Sequence, residues 1–596
     1  MRFFALSALV LCRTAFAAGP PAAGPKFDAA FEDLQSKHTE EWAQEDEAIA
    51  RVPASRRLAA LQDKHGKRPN IVYILADDVG WGELGFQGGG KHRGTPTPEL
   101  DKMAKEGEGR HCMRFWGAYA EPSCTPSRVA INTGRHPVRT GLTTVLWPGQ
   151  TDGLSPEETT VASVLSKAGA HLRRGRWASP DRGGCANPGR YHTAMWGKWH
   201  LGEAPEHSPE RHGYDYAYYG LFNGAPDAWP GSFDLYDSPT NARTMFYDFP
   251  GVAAYEAETG IDLKNVGFVG RKGEERKPIG GVEGALDDDR QAAFERESSK
   301  QMKAWITAKA ATPDPFFVYW ATYTQQLCGA AGVAERPGEK IDRANAQAPM
   351  MAQHNAQLGE LRAHLEALGI SENTLLVCDT SPEYSDNGPM YAFWPTSGYS
   401  WLRGGKGDVL EGGVRVPAVA VWHGMIKPDQ DPTDLIHLTD LFKTACHIAN
   451  ATHLIPRDRV IDGVDATPLL LGGEGRSRRA AMFHYSGETL GAVRHGDFKI
   501  HLLPGGGGGG LPRMEFYNVR RDPGEKHGEF YPGLFAVTPL QNLVKAHMDM
   551  IRRFPHRSSA AADGPDDACP ERDDGTAPDA AAARQGVLGA FRKLLM

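Results

Sequence analysis

The 596-residue sequence predicts an α/β fold in which a mostly parallel central sheet is flanked by helices and followed by a smaller C-terminal sheet. Three observations carry this. Apolar runs of strand length stand at Ile71–Leu75, Pro315–Thr322 and Thr374–Cys378, as strands covered on both faces require. Helical segments with recognisable ends lie between such runs, so strands and helices alternate. Past about residue 430 the pattern changes to short, weakly alternating stretches over 480–504 and 513–518.

Length allows two to four domains, or one large α/β domain with appendages. The net charge of -8 and pI near 6.3 argue against a nucleic-acid partner. No membrane span is expected, because no run of about 18 apolar residues follows the N-terminus. Residues 1–18 read as a secretory signal: Arg2 is the positive start, Phe3 to Cys12 the apolar stretch, Ala15-Phe16-Ala17 the small-x-small cleavage site. Arg13 is atypical there, and a short disordered leader is the alternative. The expected location is on the secretory route: secreted, periplasmic or lumenal. The eight cysteines include no Cys-x-x-Cys pair, so neither a zinc site nor thioredoxin chemistry is indicated, and pairing stays open. Asn450-Ala451-Thr452 is a glycosylation sequon, relevant only on a eukaryotic secretory route.

Residues 27–66 are charged with sparse apolar anchors (Phe31, Leu34, Trp42, Ile49, Leu58, Leu61) and read as a helical extension packed on the main body. The body is expected over 67–430. Its first strand runs into Asp77-Asp78, at the carboxyl end where sites in open α/β sheets lie. Adjacent carboxylates repel unless a cation or proton joins them, and hard oxygens suit Ca2+ or Mg2+. A solvated turn is the plain alternative. Thr97–Gly107 reads as a helix, and Ser155-Pro-Glu-Glu158 as the capping box of another.

In Cys124-Thr125-Pro126-Ser127-Arg128, Pro126 suits a first helical position and Thr125 an N-cap, with Gly134 as the stop. That sets Cys124 beside a helix N-terminus, which favours anions, while Arg128 adds a planar donor fork. The plain reading is a buried, inert cysteine. Residues 171–190 carry five arginines and no periodicity, and read as an atypical insert: a surface loop or a retained intron. In Gly197-Lys198-Trp199-His200-Leu201-Gly202 alternation puts Lys198 and His200 on one side, an anion clamp with an acid or base. Long Tyr-, Gly- and Pro-rich loops over 203–314 end in a helix near 287–310 and suit a substrate pocket. Residues 348–369 form a further helix. Ser385-Asp386-Asn387-Gly388-Pro389 follows the Thr374 strand, and the glycines of Leu402–Pro417 let Lys406 project. A nucleotide P-loop is excluded there, since Gly follows Lys406 where Ser or Thr is needed. Residues 431–555 are read as a C-terminal subdomain, with Gly505–Gly510 as a flexible tip, and 556–596 as a largely disordered tail.

Taken together and in order, Asp77-Asp78, Cys124–Arg128, Gly197–Gly202, Ser385–Pro389 and Leu402–Pro417 resemble the signatures of the sulfatase family over roughly residues 68–525. The resemblance implies an alkaline-phosphatase-like α/β fold with a C-terminal antiparallel sheet, and arylsulfatase-like hydrolysis of a sulfate ester. It implies that Cys124 is oxidised to formylglycine by a formylglycine-generating enzyme. Hydrated, that group would attack sulfur with one hydroxyl and release sulfate with the help of the other. One Ca2+ per subunit would be held by Asp77, Asp78, Asp386, Asn387 and an oxygen of residue 124. Arg128 would brace the nucleophile, Lys198 would hold the sulfate, His200 would be a base, and Lys406 would serve the leaving oxygen and the sulfate. The sequence departs from the family where a Pro-His is usual: it has Thr324-Gln325-Gln326, and Gln326 can bind a sulfate but not protonate a leaving group. Residues 381–384 are extra. A phenol needs less acid help than a sugar hydroxyl, which favours aryl sulfates. Two alternatives stand: a phosphonate or phosphate ester hydrolase of the same superfamily, and a non-catalytic relative that binds sulfated partners.

Overall fold

Asn70–Ala76 (β1) carries no charged side chain and is buried along its whole length, so it forms the middle of a sheet. The computed structural model describes residues 53–105, 112–146, 150–168, 189–221, 267–279, 288–323, 348–378, 384–389, 400–428, 430–502, 515–528 and 534–554. The expected signal, Gln326, most of the 171–190 insert, the Gly505–Gly510 run and the 556–596 tail lie outside them.

In chain order the other strands are β2 (Cys112–Arg114), β3 (Gly117–Tyr119), β4 (His192–Lys198), β5 (Tyr216–Gly220), β6 (Gly267–Arg271), β7 (Lys277–Pro278), β8 (Phe316–Ala321), β9 (Thr374–Cys378), β10 (Tyr384–Ser385), β11 (Val419–Val421) and β12 (Leu435–His437). Then come β13 (Ala481–Ser486), β14 (Thr489–His495), β15 (Phe498–His501) and β16 (Glu515–Asn518). The helices are α1 (Pro53–His65), α2 (Pro98–Lys105), α3 (Cys124–Thr133), α4 (Val161–Leu165), α5 (Asp288–Ala310), α6 (Ala348–Ala367), α7 (Glu411–Val414), α8 (Asp440–Ile448), α9 (Thr467–Gly472) and α10 (Leu534–Arg553).

Among the described residues the main sheet has ten strands in the order β2-β11-β9-β1-β8-β4-β5-β6-β7, with β10 pairing β1 beyond the end of β9. Pairs β9/β1, β1/β8, β8/β4 and β4/β5 are parallel, and the outer pairs are antiparallel. Ile71, Tyr73 and Leu75 of β1 enter one apolar core and Val72, Ile74 and Ala76 the other, so the sheet is covered on both faces. Because β1, β4, β8 and β10 run the same way, their carboxyl ends open at one edge. Asp77-Asp78, Trp199-His200 and Asp386-Asn387 all leave the sheet there.

The C-terminal sheet is an antiparallel meander, β13-β14-β15-β16, whose Val493, Ile500 and Phe516 pack on Ala536 and Leu540 of α10. The described part of the 27–66 stretch, α1, buries Ala54, Leu58 and Leu61 and is tied down by Arg57, which donates to Leu471 O at 2.9 Å. Two capping expectations are corrected. α4 is capped by Thr160 and Ser163, while Glu158 is a buried partner of Arg135 and Arg459. α3 starts at Cys124 with Ser123 as N-cap, not at Pro126 with Thr125. Among the described residues no helix is long and apolar enough to cross a membrane.

Candidate active site

The site is built from backbone turns at strand ends. Asp78 follows β1 with φ 62 and His200 follows β4 with φ 56, two of the few described non-glycine residues in the left-handed region. Such backbone persists only where its surroundings fix it. Ser385 and Asp386 fix Asp78's turn: Asp78 N donates to Asp386 Oδ1 at 3.2 Å, Val79 N to Ser385 Oγ at 3.0 Å, and Asp386 N to Ala76 O at 2.9 Å. His200 owes its placement to its own left-handed turn after β4 rather than to strand alternation, since β4 ends at Lys198.

Cys124 is the first residue of α3 and wholly buried. The first i→i−4 bond of that helix, Ser127 N to Ser123 O at 3.1 Å, leaves Pro126 in the first turn, where its missing N–H costs nothing. Thr125 is freed from capping and donates to His200 O at 3.1 Å, joining the helix to the β4 turn. Gly134 closes α3 in the left-handed region, its N–H donating to Ala130 O.

Three cation–carboxylate pairs surround the cysteine. Lys198 Nζ lies 2.6 Å from Asp77 Oδ2, Lys406 Nζ 2.7 Å from Asp78 Oδ1, and Arg128 Nη2 2.9 Å from Asp386 Oδ2. Arg128 Nη1 donates to Lys198 O at 2.8 Å. Cys124 Sγ stands 3.4 Å from Asp77 Oδ1 and 2.9 Å from Lys406 Nζ. Asn387 Nδ2 donates to Asp78 Oδ1 at 2.6 Å. His200 Nε2 bonds Leu146 O at 2.8 Å; a carbonyl only accepts, so Nε2 carries the proton and Nδ1 the lone pair.

Burial would raise Asp77, but Lys198, then Arg128 and Lys406, hold it well below the carboxylate range. Asp386, buried beside Asp77, is pushed up. Burial and then Lys198 hold His200 well below the usual imidazole value, so it is neutral at neutral pH. Burial first, then Asp386 and Asp77, push the Cys124 thiol up. A thiolate nucleophile needs the opposite surroundings. This cysteine is badly placed to act as a thiol.

One ligand atom each from Asp77, Asp78, Cys124 and Asp386 lie within 4.8 Å of one another, all buried. Asn387 Oδ1, on the next residue, is buried without a hydrogen-bond partner. The oxygens suit a hard cation such as Ca2+, and a cation between Asp77 and Asp386 relieves their repulsion. The soft sulfur is the misfit, and an oxygen at residue 124 would complete a hard-ligand set. The residues fit the ion.

The sulfatase family profile matches residues 69–174 and 187–451. The chain belongs to the sulfatase family. It is a sulfuric ester hydrolase. The two matched segments break within the 171–190 stretch. This sulfatase is 32% identical over 537 residues to human arylsulfatase A, covering 83% of this chain and 91% of that one. It is 31% identical over 445 residues to canine N-acetylgalactosamine-6-sulfatase, covering 73% and 72%. The crystal structure of PsFucS1 sulfatase from Pseudoalteromonas sp. superposes with a TM-score of 0.67 at 28% identity, over 85% of this chain and 95% of that one.

Of the residues singled out in the sulfatase sequence, Asp77, Asp78, Cys124, Arg128, Lys198, Asp386, Asn387 and Lys406 are linked by direct contacts, and His200 joins them through Thr125. Gln326 lies outside the described residues. Asn450 is exposed, at the end of α8. Sequence reasoning passed over Ser127, whose hydroxyl bonds Asp386 O and Glu121, and Ser385. Their only signal was a place inside a signature.

Proposed function

We propose that this sulfatase is arylsulfatase-like and cleaves a sulfate ester with formylglycine made from Cys124 and one bound Ca2+. The observation that carries the reading is Cys124 itself: wholly buried, with its thiol pushed up, yet 2.9 Å from the Lys406 ammonium and beside Asp77. Burying these charges around an inert thiol gives no return in stability, whereas an oxygen nucleophile there uses every neighbour.

The hydrated aldehyde would supply the attacking hydroxyl, and Ca2+, held by Asp77, Asp78, Asp386 and Asn387, would act as Lewis acid beside it. The chain's own residues do the rest. Three carboxylates against Arg128, Lys198 and Lys406 leave the site neutral, so a divalent ion makes it net positive and attracts an anionic ester. Arg128, gripped by Lys198 O and Asp386, keeps the oxygen of residue 124 in line. Lys198 steadies the sulfate oxygens. His200, neutral with its lone pair on Nδ1, accepts a proton as sulfate is released. Lys406, charged beside Asp78, holds a proton for the leaving oxygen. With Gln326 unable to add acid help, a phenolic leaving group suits the site best.

The leader supports export, and the organisation expected over 1–18, 27–66, 67–430, 431–555 and 556–596 is proposed with it; N-terminal sequencing of mature protein tests the first boundary. The activity is tested by making the protein together with a formylglycine-generating enzyme and comparing 4-nitrophenyl sulfate with a 4-nitrophenyl phosphonate. Preference for the sulfate, abolished in Cys124→Ala, supports the reading. Preference for the phosphonate supports the phosphonate-hydrolase alternative, and no turnover of either by correctly modified, Ca2+-bound protein supports a binding protein.

A further inference from the structure

Lys406 sits on a glycine-rich loop whose neck is closed by Gly412 N–H donating to Arg403 O at 2.7 Å. Inside the loop, Lys406 N donates to Pro389 O at 2.9 Å and Gly407 N to Pro122 O at 2.7 Å, which sets the loop against both the Asn387 and Cys124 segments. Glycines at 404 and 407 have φ 84 and 93, so the loop has little stiffness of its own. Both sides of its neck are held by one distant residue. Glu525 Oε2 accepts from Glu411 N at 2.7 Å, and Glu525 O accepts from Arg403 Nη1 at 2.8 Å.

Glu525 is fully buried and left-handed, with φ 48. Its other carboxylate oxygen is 2.7 Å from His501 Nε2 and 3.1 Å from Lys499 Nζ, both on β15. Lys499 also lies 3.1 Å from Glu411 Oε1, while Tyr119 OH donates to Glu411 Oε2 at 2.6 Å. The C-terminal sheet thus meets the loop through directional charged contacts. An apolar contact permits sliding; this arrangement admits one register. A strained backbone and a buried carboxylate are costly for a surface that only needs to stick.

We propose that Glu525 is a positioning residue, clamping the neck of loop 403–412 so that the Lys406 ammonium is held over the reacting atom of residue 124. The inference rests on the role given to Lys406 under the proposed function. It assigns the C-terminal sheet a part in the chemistry through β15 and the Glu525 turn.

The test uses Glu525→Ala and the milder Glu525→Gln in the full-length, modified protein, with Arg520→Ala, an exposed change on the same segment, as control. Folding is checked by circular dichroism. Trace acetic anhydride labelling, read by peptide mass spectrometry, reports the accessibility and reactivity of Lys406 without turnover. Steady-state rates on aryl sulfates of rising phenol pKa report leaving-group assistance. In folded Glu525→Ala, Lys406 should label about tenfold faster than in the parent, the equivalent of about 1.4 kcal/mol of lost hold. The kcat on the poorest leaving group should fall roughly 10²-fold, as a displacement of about 1 Å costs, with little change on the best one. Glu525→Gln should move both readouts the same way, by less, and Arg520→Ala neither. Parent-like labelling of Lys406 in folded Glu525→Ala overturns the proposal, as does an equal rate loss for every leaving group. If the parent hydrolyses no aryl sulfate, the functional reading fails while the labelling still decides the clamp.

Discussion

Replacing Arg128 by Met is the sharpest probe of how the site is held. The guanidinium is wholly buried, pairs with Asp386 at 2.9 Å, lies 3.7 Å from Asp77 and donates to Lys198 O at 2.8 Å. Methionine keeps most of the stem's packing and removes the charge. Leaving a buried carboxylate without its partner costs about 3–5 kcal/mol, and orphaning the Lys198 carbonyl adds about 1 kcal/mol or more. The expected loss is thus about 4–6 kcal/mol, a large part of the roughly 5–15 kcal/mol that keeps a domain folded. Urea unfolding in excess EDTA measures it free of metal binding. In the same background Asp386→Asn removes the charge that Arg128 faces. The double variant should then be more stable than the sum of the single losses, with a coupling of about 1–3 kcal/mol. A loss below about 1 kcal/mol for Arg128→Met, or strict additivity with Asp386→Asn, would refute the claim that charge pairing holds this site together.

Other outcomes follow from the same geometry. Ca2+ at about 100-fold above its dissociation constant should stabilise the EDTA-treated protein by about 2.7 kcal/mol; the calorimetric shift should vanish in Asp77→Asn if that carboxylate is a ligand. Glu525 is held at about 2 against an ordinary 4.5, because Lys499 and His501 outweigh its burial. Its contribution is fully present above pH 4.5 and is lost as pH falls from there towards 2, so Glu525→Gln should flatten the acid limb of stability measured by urea midpoints. Gly197 has φ 94, and a Cβ there would meet Ala321 O at 1.8 Å. Gly197→Ala should therefore cost about 2 kcal/mol or more and shift the β4 turn; an unchanged unfolding midpoint would show that β4 and β8 can part freely.

Much of the fold was legible because its signals are local. The apolar run of β1 announces a strand buried on both faces, and Asp77-Asp78 at its end announces a site. Cys124–Arg128 could be read as a helix start, yet the cap was misplaced by two residues, since Ser123 and Thr125 are both good caps and only the tertiary bond from Thr125 to His200 O decides between them. Alternation put His200 beside Lys198, but the left-handed turn after β4 depends on pairing with β5 and on Thr125, neither of which leaves a period. Least legible was the Glu411–Lys499–Glu525 cluster. Its members are far apart in sequence, each is an ordinary charged residue, and only the docking of the C-terminal sheet makes them one group.

The most direct test of the account is the mass of the tryptic peptide Phe115–Arg128 from protein made in its native host. The peptide should be lighter than the encoded one by the difference between a thiol and an aldehyde side chain at residue 124. A peptide found only with unmodified Cys124, in a host shown to carry formylglycine-generating activity, would contradict it.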